Sequence, residues 1–131
     1  MAKTRVVLAD DHQSMIAKVR ETLGGEFEII GTAENGDRAI DSVLMLDADV
    51  LVIDICMPGL NGLQAAKRLQ EANCRSKIVF LTIHEDPDFV AAAFVSGASA
   101  YVIKSRIDTD LVPAIREALL GKTFVSQALK L

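Results

Sequence analysis

Four apolar runs each end on a polar residue, and this pattern constrains the fold more than any other feature of the chain. Val6-Val7-Leu8-Ala9 runs into Asp10-Asp11, and Val50-Leu51-Val52-Ile53 into Asp54. Ile78-Val79-Phe80-Leu81 runs into Thr82, and Ala100-Tyr101-Val102-Ile103 into Lys104. Short continuous runs rich in Val and Ile read as strands buried on both faces, the pattern of a parallel sheet with helices on either side. Ligands of such sheets bind just outside the carboxyl ends of the strands. If the four strands are parallel neighbours, three carboxylates, a hydroxyl and an ammonium meet at one edge. That set suits a divalent cation and a phosphoryl group.

The segments between the runs have helical spacing. Ile16, Val19 and Leu23 form one stripe, which Gly24-Gly25 ends. Phe27–Thr32 is a further strand, and its Glu28 predicts an edge position. After an Asn35-Gly36-Asp37 turn, Ile40, Val43 and Leu44 form a second helix. Pro58-Gly59 and Asn61-Gly62 break the chain before a third helix with Leu63, Ala65, Ala66 and Leu69. Asp86-Pro87-Asp88 starts a fourth, with Pro87 in its first turn. Asp108–Leu120 is the fifth, closed by Gly121. Five βα units predict a doubly wound α/β fold with a five-stranded parallel sheet in the flavodoxin-like order 2-1-3-4-5. That order puts the first and third strands side by side at the switch point, so Asp10, Asp11 and Asp54 converge there.

One core fits 131 residues, half of them hydrophobic and 24% charged. We expect one domain over 1–121. Residues 122–131 show no clear element and read as a tail or the start of a linker. A net charge of −4 argues against non-specific nucleic-acid binding by this chain. No apolar stretch approaches the roughly 20 residues that span a membrane, and the N-terminus has no signal-peptide pattern. Cys56 and Cys74 fit neither a disulfide framework nor a CxxC site and predict reduced thiols in the cytoplasm.

Clustered carboxylates repel one another unless a cation joins them. All-oxygen ligation suits Mg²⁺ better than Zn²⁺. A carboxylate can attack phosphorus to form an aspartyl phosphate, and Asp54 is the natural nucleophile. It stands alone at the end of a central strand, before a Pro-Gly turn expected to leave it accessible. Lys104 and the cation would neutralise the transferring group, and Thr82 would donate a hydrogen bond. Taken singly, none of these residues is specific. Asp10-Asp11 could be a solvated turn or helix cap, Lys104 a surface charge, and Tyr101 a core aromatic. His12 and His84 read as solvent-facing loop residues.

In combination, Asp10-Asp11, Asp54-Ile55-Cys56-Met57-Pro58-Gly59, Thr82, and Gly97-Ala98 leading to Tyr101 and Lys104 resemble the receiver domain of two-component response regulators. The resemblance runs from Arg5 to about Gly121. Ala9-Asp10-Asp11-His12 and Leu81-Thr82-Ile83-His84-Glu85-Asp86-Pro87 are most similar to the NarL/FixJ group, whose receivers precede a LuxR-type helix-turn-helix. The resemblance implies that Asp54 accepts a phosphoryl group from a sensor histidine kinase. It implies direct Mg²⁺ ligation by Asp11, Asp54 and the Cys56 backbone carbonyl, with Asp10 acting through water. Lys104 would pair with phosphoryl oxygens. Thr82 would move toward the phosphoryl group while Tyr101 rotates inward, remodelling the face of the fourth helix, fifth strand and fifth helix. Met15 could face the kinase. Homodimerisation on phosphorylation is implied, and so is transcription control through a DNA-binding domain outside this chain. Such a domain is no conventional enzyme, since it catalyses only its own phosphorylation and slow dephosphorylation.

The chain departs from the receiver pattern in places. Ser105 stands where many receivers have Pro, and Ser99 where Gly is common. Cys56 and His84 occupy the positions that tune water access to an aspartyl phosphate. Other readings are a stand-alone receiver, an interaction module that is not phosphorylated, and an Asp-nucleophile phosphohydrolase. The last requires an acid/base Asp where Cys56 stands. A flavodoxin is disfavoured because no phosphate loop follows the first strand.

Overall fold

A computed structural model describes residues 3–126. The elements are β1 (Thr4–Ala9), α1 (Gln13–Leu23), β2 (Phe27–Ala33), α2 (Gly36–Leu46), β3 (Val50–Ile53) and α3 (Gly62–Glu71). They continue with β4 (Lys77–Thr82), α4 (Pro87–Val95), β5 (Ala100–Ile103), a 3₁₀ turn (Lys104–Arg106), α5 (Ile107–Leu119) and β6 (Phe124–Val125). All strand pairs are parallel, in the order β2-β1-β3-β4-β5-β6. The flavodoxin-like order expected from the βα repeats is present, with β2 at one edge.

Side-chain alternation divides the core into two layers. Val7, Ala9, Leu51, Ile53, Phe80 and Tyr101 pack with Ala39 and Val43 of α2, Ala65, Ala66 and Leu69 of α3, and Ala93 of α4. Val6, Leu8, Val50, Val52, Leu81 and Val102 pack with Ile16 and Val19 of α1 and with Leu111, Ala114 and Ile115 of α5. The central strands β1, β3, β4 and β5 bury both faces, so their hydrophobic runs are unbroken in the sequence.

Two of the breaks read as turns are helix starts. Asn35 caps α2 by accepting from the Arg38 amide at 2.9 Å. Asn61 and Gln64 form a capping box on α3, a device worth about 1 kcal/mol. Asp86 caps α4, with Pro87 at the first helical position.

The sixth strand is a finding the βα pattern did not predict. Its two residues lie in the segment from Lys122 that shows no clear element by sequence. The rule of right-handed crossovers also hides it. The steps β2→β3→β4→β5 progress across the sheet with α2, α3 and α4 on one face. The step β5→β6 progresses the same way, yet α5 lies on the opposite face with α1. The β5–α5–β6 connection therefore has the opposite hand. The rest of the expected tail, residues 127–131, lies outside the described residues.

Candidate functional site

The register of β1, β3, β4 and β5 fixes the site. Ala9 pairs with Ile53, Ile53 with Phe80, and Thr82 with Ile103. The Asp54 amide donates to the Ala9 carbonyl at 3.0 Å, which sets the end of β3 beside Asp10. Asp10 and Asp54 are 1% and 5% exposed, whereas Asp11 is exposed. Asp54 is thus less exposed than its Pro-Gly turn suggests, although it lines a cleft. The loop after β3 folds back, its Cys56 amide donating to Asp54 Oδ1 at 3.3 Å. Gly62, the first residue of α3, is pressed against the Asp54 carbonyl with no room for a Cβ.

Lys104 joins the two buried carboxylates, with Nζ 2.9 Å from both Asp54 Oδ2 and Asp10 Oδ2. Burial by itself lowers a lysine pKa. Hydrogen bonds to Asp54 and Asp10 outweigh it, and the ammonium titrates above its ordinary value. One ammonium faces three carboxylates, so excess negative charge remains for a further cation to offset. Ligand atoms of Asp10, Asp11, His12 and Asp54 lie within 4.8 Å of one another. Carboxylate oxygens are hard donors that fit Mg²⁺.

Thr82 ends β4 fully buried, and its Oγ1 accepts from the His84 amide at 3.3 Å. Tyr101 points inward, 0% exposed, and its hydroxyl donates to the His84 carbonyl at 2.8 Å. Burial first, then the Asp54 charge, push its phenol well above the ordinary value. The loop bearing His84 thus touches both residues of the expected switch.

A cleft of about 490 Å³ opens over Asp54 and Lys104, with Met15 and Ile83 as its apolar rim. His12 is solvent-facing as expected, whereas His84 is not. The His12 ring is exposed, but its Nδ1 lies 3.2 Å from Asp10 Oδ1 and 3.1 Å from Asp11 Oδ1. His84 is half-buried, stacks on Phe89 at 4.4 Å, and sets Nε2 2.9 Å from Cys56 Sγ. For His12 the signal was adjacency to the acidic pair. For Cys56 and His84 it was their common offset of two residues from Asp54 and Thr82.

Residues 6–116 match the response regulator receiver domain family. The chain belongs to that family. This receiver domain is 30% identical over 126 residues to the nitrate/nitrite response regulator protein NarL of Escherichia coli K12, covering 95% of the chain and 58% of NarL. It therefore spans little more than half the length of that relative. A LuxR-family response regulator from Aurantimonas has a similar structure (TM-score 0.92, 27% identity, 98% of this chain and 93% of that one). So does the isolated receiver domain of RcsB from Salmonella enterica in the presence of phosphomimetic BeF₃⁻ (TM-score 0.88, 26% identity, 98% and 96% coverage). The receiver domain is of the NarL type. Among the described residues, no helix is long and apolar enough to cross a membrane.

Proposed function

We propose that this receiver domain accepts a phosphoryl group on Asp54 from the phosphohistidine of a sensor kinase and passes the event on as a change of shape. The observation that carries this reading is the Lys104 ammonium fixed between Asp54 and Asp10 in an open cleft. An Asp54 carboxylate oxygen would bond to phosphorus as the phosphorus–nitrogen bond of the donor breaks, and the bond's electron pair would leave on an imidazole already protonated at its other nitrogen, which departs neutral. Lys104 then has a phosphoryl oxygen to neutralise in place of one carboxylate contact. Asp11, Asp54 and the Cys56 carbonyl would hold Mg²⁺ directly, with Asp10 acting through water. When bound, the ion supplies charge to offset the equatorial oxygens.

The readout would run through Thr82 and Tyr101, which share the His84 loop. A Thr82 hydroxyl drawn toward the phosphoryl group gives up the His84 amide. The inward Tyr101 ring, bonded to the His84 carbonyl, stabilises the displaced loop. By analogy with the regulators it resembles, the domain would dimerise when phosphorylated and control transcription through a DNA-binding segment of a longer protein.

The test is incubation with acetyl phosphate and Mg²⁺, followed by intact mass. A single addition of about 80 Da, the mass of one phosphoryl group, is expected. EDTA should abolish it. No addition under conditions that label a known receiver would overturn the reading.

A further inference from the structure

Ser126 is fully buried in the described structure, although it follows a strand of only two residues. Its amide donates to the Tyr101 carbonyl at 3.0 Å. Its Oγ accepts from the Ile103 amide, also at 3.0 Å. β6 pairs with β5 only at Ala100 and Tyr101. The hydroxyl therefore takes the next rung of the ladder, where a longer strand would offer a backbone carbonyl. The same hydroxyl helps to hold the Asp110 carboxyl below its ordinary range. Asp110, only 5% exposed, also accepts from Arg106 Nε at 3.0 Å and Thr109 Oγ1 at 2.9 Å. The residue before Lys104 is thus tied to Ser126, and the residue two after it to Asp110. Between them lies the 3₁₀ turn from which Lys104 reaches the acidic cluster.

We propose that Ser126 is a positioning residue for Lys104, holding the backbone that aims its ammonium at Asp54 and Asp10. The proposal rests on the reading of Asp54 as phosphoryl acceptor. It also makes the segment beyond α5 part of the phosphorylation machinery. In a connection of the unusual hand, these side-chain bonds are what β6 has in place of a long ladder. A lysine whose backbone drifts keeps its charge but loses its aim, and a misplacement of about 1 Å is costly in a transfer reaction.

The experiment compares the full chain with Ser126→Ala and Ser126→Thr, measuring phosphorylation by acetyl phosphate at saturating Mg²⁺. Ser126→Ala should slow the reaction about fivefold, the size of one hydrogen bond's net contribution. The Mg²⁺ half-saturation should not change, because no proposed ligand is touched. Ser126→Thr keeps the hydroxyl and should restore the rate. Amide exchange at Ile103 and Lys104 should quicken in Ser126→Ala and not in Ser126→Thr. An Ala variant as fast as the parent, or one whose slowing matches a loss of Mg²⁺ affinity, would overturn the proposal. If the threonine methyl unfolds the site, the exchange rates of the Ala variant decide instead. A parent chain that takes no phosphoryl group would sink the Asp54 reading. Exchange at Ile103 and Lys104 would still show whether Ser126 holds this backbone, and unchanged exchange would refute it.

Discussion

Lys104, at the end of β5, contacts Asp54 at the end of β3 across the intervening strand β4, with Nζ 2.9 Å from Oδ2. Neighbouring strands lie about 4.8 Å apart, so β5 and β3 are separated by roughly 10 Å. The long lysine stem spans that gap, past the end of β4. The same ammonium also reaches Asp10, just past the end of β1, at 2.9 Å. One cation therefore clips the carboxyl ends of three strands together.

Replacing Lys104 by Met should strand two buried carboxylates. Breaking such a pair by removing one partner costs about 3 kcal/mol. Denaturant unfolding in EDTA should show a loss of that size, and millimolar Mg²⁺ should recover part of it by occupying the same cluster. A variant as stable as the parent in EDTA would mean that the carboxylates are not held as described.

Gly62 should tolerate no side chain. A Cβ there would overlap the Asp54 carbonyl and crowd the Ile55 Cα, both of them backbone atoms that cannot swing aside. Gly62→Ala should lower stability by about 2 kcal/mol, as overpacking does. Because the displaced atom belongs to Asp54, acetyl phosphate labelling should also slow. Gly59→Ala, where the space is open but φ is +73°, should cost stability without the same loss of labelling.

Tyr101 is the single tyrosine of the chain, so its titration can be followed by phenolate absorbance. Burial and the Asp54 charge place its midpoint above the ordinary 10.0. The folded state then holds its phenol proton more tightly than the unfolded state. Stability should therefore fall as pH rises past 10.0 and through the folded midpoint. Tyr101→Phe should remove this slope and cost about 1 kcal/mol at neutral pH by leaving the His84 carbonyl unpaired.

Asp110 should set the opposite slope at low pH. Burial raises its pKa, but hydrogen bonds from Arg106, Ser126 and Thr109 outweigh that and hold it below the ordinary 3.8. Its contribution is present above 3.8 and is lost as pH falls through the folded value. The stability gap between the parent and Asp110→Asn should be constant near neutrality and close below pH 3.8. A gap unchanged down to acid unfolding would contradict this.

Much of the fold was legible because each central strand is buried on both faces and so writes an unbroken apolar run. The strand ends were legible for the same reason, since Asp54, Thr82 and Lys104 each interrupt a run. Asn35 and Asn61 read as turn formers because Asn-Gly signals both a turn and a helix cap, and only the local backbone separates the two. β6 was hidden by its length and by the reversed hand of its connection. The burial of Asp54 depends on a loop folding back over it, and the Ile103–Ser126 bond joins residues whose meeting depends on that same connection. Neither leaves a periodic trace in the sequence.

Under the proposed function, Asp54 receives the phosphoryl group. The most direct measurement is peptide mapping by mass spectrometry after acetyl phosphate and Mg²⁺ treatment of the parent and Asp54→Asn chains. A phosphoryl adduct on the parent peptide containing Asp54, and none on the Asn variant, is the predicted result. An adduct retained in the Asn variant, or one mapped to Asp10 or Asp11 in the parent, would contradict it.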